Sequence, residues 1–360
     1  MRYYPYSPDV EVKAPNEDEL IDRIVTSMSR VNTRAFDKHR HATRDAHAKS
    51  HGIVKGYLEI YDHLPEHLAQ GLFASPKRYP VVIRYSTAFG QIKDDDIPSA
   101  YGMAVKVIGV EGEKILPEHQ NEVTQDFLLV NFPVIPFGHV KAYWNMQRVA
   151  ELQDNTPNFL KELGDSLTKP IGAIAGAVIP KTSILKTMGT LHILGETFYS
   201  MAAIRYGDYI AKISAAPLSP AVTELTGKTM ELDGRPSGIR DLVVDFFNRS
   251  GAEYELRAQL CTHPAEMPIE DASIEWDEDK SHYQPIGKIV IPSQHAYSPA
   301  RRVYGDDVLS FNPWHCLVEH QPLGSINRVR IPAYARSSKF RHDMNMQPRK
   351  EPRDIMEVPD

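Results

Sequence analysis

The sequence predicts an α+β fold in which helices surround an antiparallel β-barrel. Runs of β-branched and aromatic residues, bounded by Gly, Pro and Asp, recur at short spacing from residue 52 onwards, which is typical of strands. One stretch, about 138–200, interrupts them with helical and irregular patterning, and the sequence contains no Gly-rich phosphate loop and no internal repeat. Many short strands with a single helical excursion favour a barrel over an alternating βαβ sheet.

The elements are predicted in the following order. Residues 1–51 form an N-terminal arm, because apolar residues such as Leu20, Ile24 and Met28 recur every four positions in a charged stretch. The barrel domain covers 52–360, with strands over 52–61, 78–90, 101–110, 125–135, 197–217, 240–249, 252–260 and 288–294. The helical insert covers about 138–200, a C-terminal helix covers about 326–342, and a mobile tail follows.

Composition excludes several classes of function. The 360 residues carry a net charge of −6, which argues against nucleic acid as a partner. Two cysteines, Cys261 and Cys316, suggest small buried side chains in a reducing compartment, so a cytoplasmic location is expected. The longest apolar run, 171–179, is too short to cross a bilayer, and no transmembrane segment is expected.

The predicted C-terminal helix carries an unusual set of side chains. Arg330, Tyr334 and Arg341 are spaced four and seven residues apart, so they share one helical face. Two guanidiniums beside a phenol are expected to lower its pKa. A phenolate suits ferric iron, and tyrosine is one of the axial ligands of haem. An amphipathic helix with surface arginines is the alternative interpretation.

A second set of chemical groups lies upstream. His47 comes just before the first predicted strand, and alternation places Arg84 and Ser86 on one face of the second strand, with Tyr85 on the other. A hydroxyl that fixes one imidazole nitrogen leaves the other for general acid–base chemistry. Arg44 and Arg84 provide cations for a ligand that carries carboxylates.

Four blocks in the order of the chain resemble the haem catalases and their shorter catalase-related relatives. His47-Ala-Lys with Arg44 resembles the distal histidine motif of that family, and Arg84-Tyr-Ser-Thr resembles its Arg-Phe-Ser-Thr strand. Tyr101-Gly-Met-Ala-Val-Lys resembles its Arg-Gly-Phe-Ala-Val-Lys strand, and the segment 330–341 resembles its proximal Arg-x-x-x-Tyr motif. The blocks span about 44–341.

The resemblance implies roles for these residues. It implies haem b between the barrel and the C-terminal helix, with Tyr334 as the proximal iron ligand. It makes His47 the distal acid–base group, with Ser86 orienting it. Arg330 would keep Tyr334 ionised, and the haem propionates would be held by Arg44, Arg84 and Arg341. Relatives of this kind commonly assemble as homo-oligomers.

The sequence also departs from the family pattern. Where catalases have Asn-Asn-Thr-Pro, this chain has Val130-Asn131-Phe-Pro, so Val130 replaces the catalytic amide. Asn131 remains a catalytic candidate only if the backbone shifts it by one residue. Ser99 replaces the channel aspartate, while Ala88 and Ala46 replace valines. These changes predict a wider or less polar access channel.

These observations predict a haem-dependent peroxidase with weak catalase activity, acting on hydrogen peroxide or on organic and lipid hydroperoxides. Isomerisation or cleavage of a fatty-acid hydroperoxide is the enzymatic alternative, mildly favoured by the apolar run 171–179. A barrel that binds haem or lipid without turnover is the alternative of another class. His315 and His320 could form a metal pair, but a hydrogen-bonded turn that packs Trp314 is the simpler interpretation, with no carboxylate placed to complete a site.

Overall fold

The computed structural model describes residues 2–152 and 189–360. Its strands are β1 (Ser50–Ile60), β2 (Arg78–Thr87), β3 (Tyr101–Ile108), β4 (Thr124–Val130), β5 (Phe198–Tyr199), β6 (Ile204–Tyr206), β7 (Tyr209–Pro217), β8 (Ala252–Leu260) and β9 (Gln284–Ile291). Its α-helices are α1 (Glu17–His39), α2 (Val140–Leu152), α3 (Pro220–Thr223), α4 (Gly238–Arg249), α5 (Pro299–Val303) and α6 (Ser325–Asn345). The run 171–179 lies outside the described residues.

The strands form a closed antiparallel barrel, which confirms the predicted fold class. Their order in the sheet is β5-β4-β3-β2-β1-β9-β8-β7-β6. The short strand β5 closes the ring, because Tyr199 pairs with Val130 of β4 and with Ser214 of β7. Eight strands therefore make the barrel, and β6 extends it as a hairpin partner of β7. Closure removes the unpaired edges that an open sheet exposes.

Alternate side chains along each strand point into the barrel and away from it. In β2, Val81, Ile83 and Tyr85 are fully buried in the interior cluster. The ring of Tyr85 packs within 6.4 Å of the Phe198 and Phe247 rings, measured between centroids. Arg84 lies on the opposite face of the strand, as the period of two requires. The barrel interior is thus filled by side chains, and the polar groups of β2 are left for its outer face.

Three helices pack together outside the barrel. The apolar stripe of α1, with Leu20 and Ile24 buried, meets Val140 of α2 and the residues Val329 and Ala333 of α6. The helical spacing that predicted α1 is the spacing that buries this stripe. The N-terminal arm therefore packs against α6, the helix that carries Tyr334.

Two sequence-based predictions are wrong. Residues 240–249 are not a strand but lie in α4, because Ile239, Val243 and Phe247 recur every four residues and bury one helical face. The C-terminal tail is also not a loose end. Val358 is 1% exposed and packs against Ile53 and Val82, which lie on the outer side of the barrel.

Both cysteines are buried and free, as expected. Among residues 2–152 and 189–360, no helix combines the length and the apolar character that a bilayer span requires.

Candidate functional site

A cavity of about 810 Å³ lies between the outer face of the barrel and α6. Strands β2, β3 and β4 form one wall, and α6 forms another. The side chains of His47, Ser86, Arg330 and Tyr334 all line it. A cavity of this volume is in the range that holds a cofactor or a small-molecule ligand.

His47 is held in an uncommon backbone conformation at the cavity wall. Its φ is +57°, in the left-handed region that few residues other than glycine adopt. The backbone N–H of His47 donates to the Ala88 carbonyl at 3.2 Å, and Arg84 donates to the His47 carbonyl at 2.8 Å. Nδ1 of the ring lies 3.0 Å from the Ser86 hydroxyl oxygen. Both the backbone and the ring are therefore fixed by β2 and its extension.

Gly102 on β3 makes room for this ring. A Cβ atom at position 102 would lie 2.5 Å from His47 Nδ1 and 2.9 Å from the Ser86 hydroxyl oxygen. Either distance is shorter than ordinary van der Waals contact. Position 102 thus admits only glycine if the His47–Ser86 pair is to keep its geometry.

The imidazole of His47 is neutral at physiological pH. Burial lowers its pKa to about 3, and the guanidiniums of Arg84, Arg330 and Arg44 add to the effect. A neutral imidazole has one donor and one acceptor nitrogen. With Nδ1 beside the Ser86 hydroxyl, Nε2 is left for a proton acceptor or donor role at the cavity.

Three arginines converge beside the carboxylate of Asp306. Nε of Arg84 donates to that carboxylate at 2.9 Å, and Nη1 of Arg44 lies 3.6 Å from it. Arg44 and Arg341 donate to the backbone carbonyls of Asp306 and Leu309, between 2.6 and 3.2 Å. Asp306 belongs to the π-helical turn 304–308, whose carbonyls bring together arginines from distant parts of the sequence.

The charge balance of this arginine cluster leaves room for anions. In the described part of the chain, Asp306 is the one carboxylate within ion-pair distance of Arg44, Arg84 or Arg341. Burial lowers the pKa of Arg44 well below its usual value, and repulsion from Arg341 and Arg84 lowers it further. Burial likewise lowers the pKa of Arg341 to about 10. Asp307 and Asp45 act on these arginines only from beyond ion-pair distance. Three guanidiniums that share one close carboxylate can accept further carboxylates, so the donor set fits the propionates of a haem.

Tyr334 lines the cavity from α6. It packs beside the apolar cluster that joins α1, α2 and α6. No hydrogen bond to its hydroxyl is found among the described residues, so the phenol oxygen is available to a ligand. Arg330, one turn earlier on the same face, also lines the cavity and donates to the Asn327 side chain at 3.0 Å. Arg341 points instead to the 304–308 turn, so the predicted flanking of the phenol by two guanidiniums is not formed.

Asn131 is not brought into the cavity. Its side-chain oxygen accepts from the Tyr101 backbone N–H at 2.8 Å, and its side-chain nitrogen donates to Glu196 at 2.9 Å. Val130 lines the cavity instead. The one-residue shift that would have reversed the facing is absent at this end of β4, so we do not retain Asn131 as a catalytic candidate.

The predicted changes in the access channel are only partly located at the cavity. Ala46 lines it. Ser99 is 1% exposed, and its hydroxyl accepts from the Ala88 backbone N–H at 3.1 Å. Ser99 therefore serves the backbone next to His47 and does not line the cavity.

His315 and His320 do not form a metal pair. Nε2 of His320 accepts from the Leu72 backbone N–H at 2.9 Å, in the barrel region, and burial lowers its pKa to about 3. Trp314 is buried and donates to the Asn327 carbonyl at 2.8 Å, as the simpler interpretation predicted. Carboxylates do surround His315, however, and Asp126 lies 2.9 Å from its Nδ1. The expectation that no carboxylate is placed near it is wrong.

Two residues of the site were missed by the sequence reasoning. Asp306 lies in an unremarkable Gly-Asp-Asp turn, and its role arises from contacts with residues more than 200 positions away. Gly102 belongs to the segment Tyr101-Gly-Met-Ala-Val-Lys, but the need for glycine there depends on where the His47 ring lies. Local sequence therefore reveals the role of neither residue.

Comparison with known proteins identifies the fold. No protein-family profile matches the chain, and no curated protein sequence matches it. Solved structures do match it. A fungal catalase superposes with a TM-score of 0.63 at 17% identity, covering 86% of this chain and 61% of that chain. Catalase A from Saccharomyces cerevisiae gives 0.65 at 16% identity, covering 87% and 65%. A bacterial catalase gives 0.59 at 13% identity, covering 94% and 63%.

This chain thus spans less than two thirds of the length of those catalases. At these identities the likeness concerns architecture alone. The barrel with its surrounding helices is therefore a catalase-like fold.

Proposed function

We propose that the protein is a haem-dependent oxidoreductase that acts on hydroperoxides. The observation that carries the proposal is one cavity lined by a neutral His47 hydrogen-bonded to Ser86, a phenol with no hydrogen bond from the described residues, and a surplus of guanidiniums. The catalase-like fold supports it at the level of architecture. The His47–Ser86 pair counts against a barrel that only binds a ligand.

Each residue then has one task. Tyr334 would bind the haem iron through its phenol oxygen, with Arg330 one turn before it. Arg44, Arg84 and Arg341 would bind the propionates, and Asp306 holds two of these guanidiniums in place. The haem supplies the iron and the electrons for O–O bond cleavage.

His47 moves the proton. Its free ring nitrogen accepts the proton from the terminal oxygen of a hydroperoxide and delivers it to the oxygen that leaves as water or an alcohol. Because burial lowers the pKa of His47 to about 3, the ring is unprotonated at neutral pH and its free nitrogen is open to this proton. Ser86 fixes the orientation of the ring through Nδ1.

The wall of the cavity favours peroxidase over catalase chemistry. Val130 provides a methyl surface where an amide could have bound a second hydrogen peroxide molecule, and Leu128 and Ala104 line the same side. An apolar wall of this kind accommodates the organic part of a hydroperoxide. Organic or lipid hydroperoxides with an organic reductant are therefore the proposed substrates, and dismutation of hydrogen peroxide is expected to be slow.

The optical spectrum tests the haem assignment. Titration of the purified protein with haemin should give a Soret band that saturates at one haem per chain. Tyr334→Phe should change the spectrum of the bound ferric haem. Tyr143→Phe is a matched control, because this phenol lines the same cavity and, like Tyr334, is partly buried in the cluster that joins α1, α2 and α6. An unaltered spectrum in Tyr334→Phe, or loss of binding only in Tyr143→Phe, would contradict the assignment.

Product analysis separates the enzymatic alternatives. The haem-loaded protein is given hydrogen peroxide or a fatty-acid hydroperoxide, each with and without an organic reductant. An alcohol formed only with the reductant supports a peroxidase, whereas an epoxide or aldehyde formed without it indicates an isomerase or lyase. If His47→Ala consumes peroxide as fast as the wild type, the protein is a binding barrel in which the bound haem reacts without proton transfer by His47.

A further inference from the structure

A second group of chemically active side chains lies where the β3–β4 connection meets the segment before α6. His119 ends the 3-10 turn Pro117–His119, Glu122 follows one turn later, and His315 comes from the other segment. One donor atom from each lies within 4.8 Å of the other two. Nδ1 of His119 is 3.0 Å from Glu122 Oε2, and Nε2 of His315 is 3.7 Å from it.

These three donor atoms are buried. Apart from the 3.0 Å contact between His119 Nδ1 and Glu122 Oε2, they have no hydrogen-bond partner among the described residues. His119 is 3% exposed and His315 is 1% exposed. An unpaired buried polar atom costs about 1–3 kcal/mol, so the convergence of these atoms calls for an explanation.

The hydrogen bonding of His315 indicates which ring nitrogen faces Glu122. Its Nδ1 lies 2.9 Å from the Asp126 carboxylate, which can only accept, and 3.3 Å from Lys106 Nζ. Because the Lys106 ammonium is engaged at shorter distances by Asp126 and Glu351, Nδ1 carries the proton and Nε2 presents a lone pair to the Glu122 carboxylate. Two lone pairs that face each other repel unless a cation lies between them. A carboxylate that orients an imidazole in this way is the usual second partner of a metal-binding histidine.

Charged side chains surround the three donor atoms. Asp126, Glu122 and Glu351 are in contact with two cationic groups, Lys106 and Arg349. A third cation, the buried Lys114, lies nearby and donates to the backbone carbonyls of Val110 and Thr124. The case for a metal ion therefore rests on the geometry of the three donor atoms.

We propose that His119, Glu122 and His315 bind a divalent transition-metal ion of the zinc class, with Asp126 as the residue that positions His315. Two imidazoles and one carboxylate form a donor set that suits zinc and its neighbours, and that calcium and magnesium do not favour. A tetrahedral zinc site needs donor atoms about 3.3 Å apart, so small side-chain rotations would complete it.

The ion would have two consequences. It would tie the β3–β4 connection to the segment that leads into α6, which carries Tyr334. Because His119 and His315 also line the large cavity, a fourth coordination position would be reachable from it. The proposal is independent of the proposed function, since none of its ligands takes part in the haem chemistry described above.

Retention of Zn²⁺ tests the proposal without haem or peroxide. The full chain, without a polyhistidine tag, is treated with EDTA, dialysed against limiting Zn²⁺ and analysed for zinc by mass spectrometry. We expect one Zn²⁺ per wild-type chain and at least about a 10-fold weaker affinity in His119→Ala and Glu122→Gln. Glu118→Gln is the matched control, because this exposed carboxylate lies in the same turn outside the ligand set; it should bind as the wild type does.

Circular dichroism melts establish that each variant is folded, and the wild-type measurement stands even if one variant is not. Three results would overturn the proposal: a wild-type chain that retains no Zn²⁺, folded ligand variants that keep wild-type affinity, or a control that loses as much affinity as Glu122→Gln. In each case the cluster would be an ion-pair network with a protonated imidazole.

Discussion

Replacing Gly102 by alanine should displace the proposed acid–base group while leaving the rest of the cavity intact. The added Cβ would lie 2.5 Å from His47 Nδ1 and 2.7 Å from Cε1. Restoring ordinary contact requires the ring to move by about 1 Å. That movement breaks the 3.0 Å contact with Ser86, which costs about 0.5–1.5 kcal/mol, and overpacking adds about 1–3 kcal/mol. The catalytic cost is larger, because a displacement of about 1 Å can lower the rate about 100-fold.

The assay is kcat/KM for a hydroperoxide with the haem-loaded enzyme, together with the Soret band and the unfolding free energy. Gly102→Ala should lose about 100-fold in kcat/KM and keep its haem, since the arginine cluster and Tyr334 are untouched. Gly109→Ala is the control at the end of the same strand: nothing lies within 4 Å of its added Cβ, and its positive φ of +81° gives a stability loss of about 1 kcal/mol without steric contact. A folded, haem-bound Gly102→Ala enzyme with wild-type kcat/KM would refute the role of His47.

Three further predictions concern the same site. Asp306→Asn should lower the unfolding free energy by about 3–5 kcal/mol, because it leaves buried arginines without their carboxylate. Urea unfolding measures the loss. Asp307→Asn is the control, since the partner of Asp307, His41, is exposed, and an equal loss in that variant would contradict the prediction. His47→Gln should flatten the pH dependence of stability. The unfolded histidine binds a proton below pH 6.5 and the folded one only near pH 3. His47 therefore makes the free energy of unfolding decrease as the pH is lowered from 6.5 towards 3, by about 1.4 kcal/mol per pH unit. Unfolding curves at pH 4 and 6 measure the difference, and equal slopes in both proteins would contradict the assignment. Val130→Asn should raise oxygen release from hydrogen peroxide relative to peroxidase turnover, and an unchanged ratio would show that this wall does not select the second substrate.

The parts of the fold that could be predicted are those controlled by local periodicity. The strand pattern placed Arg84 and Ser86 on one face and Tyr85 in the barrel, and the helical spacing placed Leu20 and Ile24 on the buried side of α1. The segment 240–249 was misassigned because its apolar residues satisfy both periods over a short window. Its burial against the barrel, which the sequence does not display, selects the helix.

The parts of the site that could not be predicted depend on contacts between distant residues. Asn131 was retained because a bulge could have turned it, but hydrogen bonds to Tyr101 and Glu196 hold it outside the cavity. His119 and Glu122 carried no signal of their own. They become a candidate metal site only because His315, almost 200 residues later, reaches them.

The turn 304–308 explains how the arginine cluster can exist before any ligand is bound. Arg44 and Arg341 satisfy part of their hydrogen-bonding capacity with the carbonyls of this turn, and these carbonyls are neutral. Hydrogen bonds to neutral groups fix the positions of the guanidiniums but do not cancel their charge. A guanidinium has five N–H donors, and Arg341 uses two of them here. The cluster is therefore oriented in advance while its charge is kept for carboxylates, and this arrangement lowers the reorganisation that binding of an anionic cofactor would otherwise require.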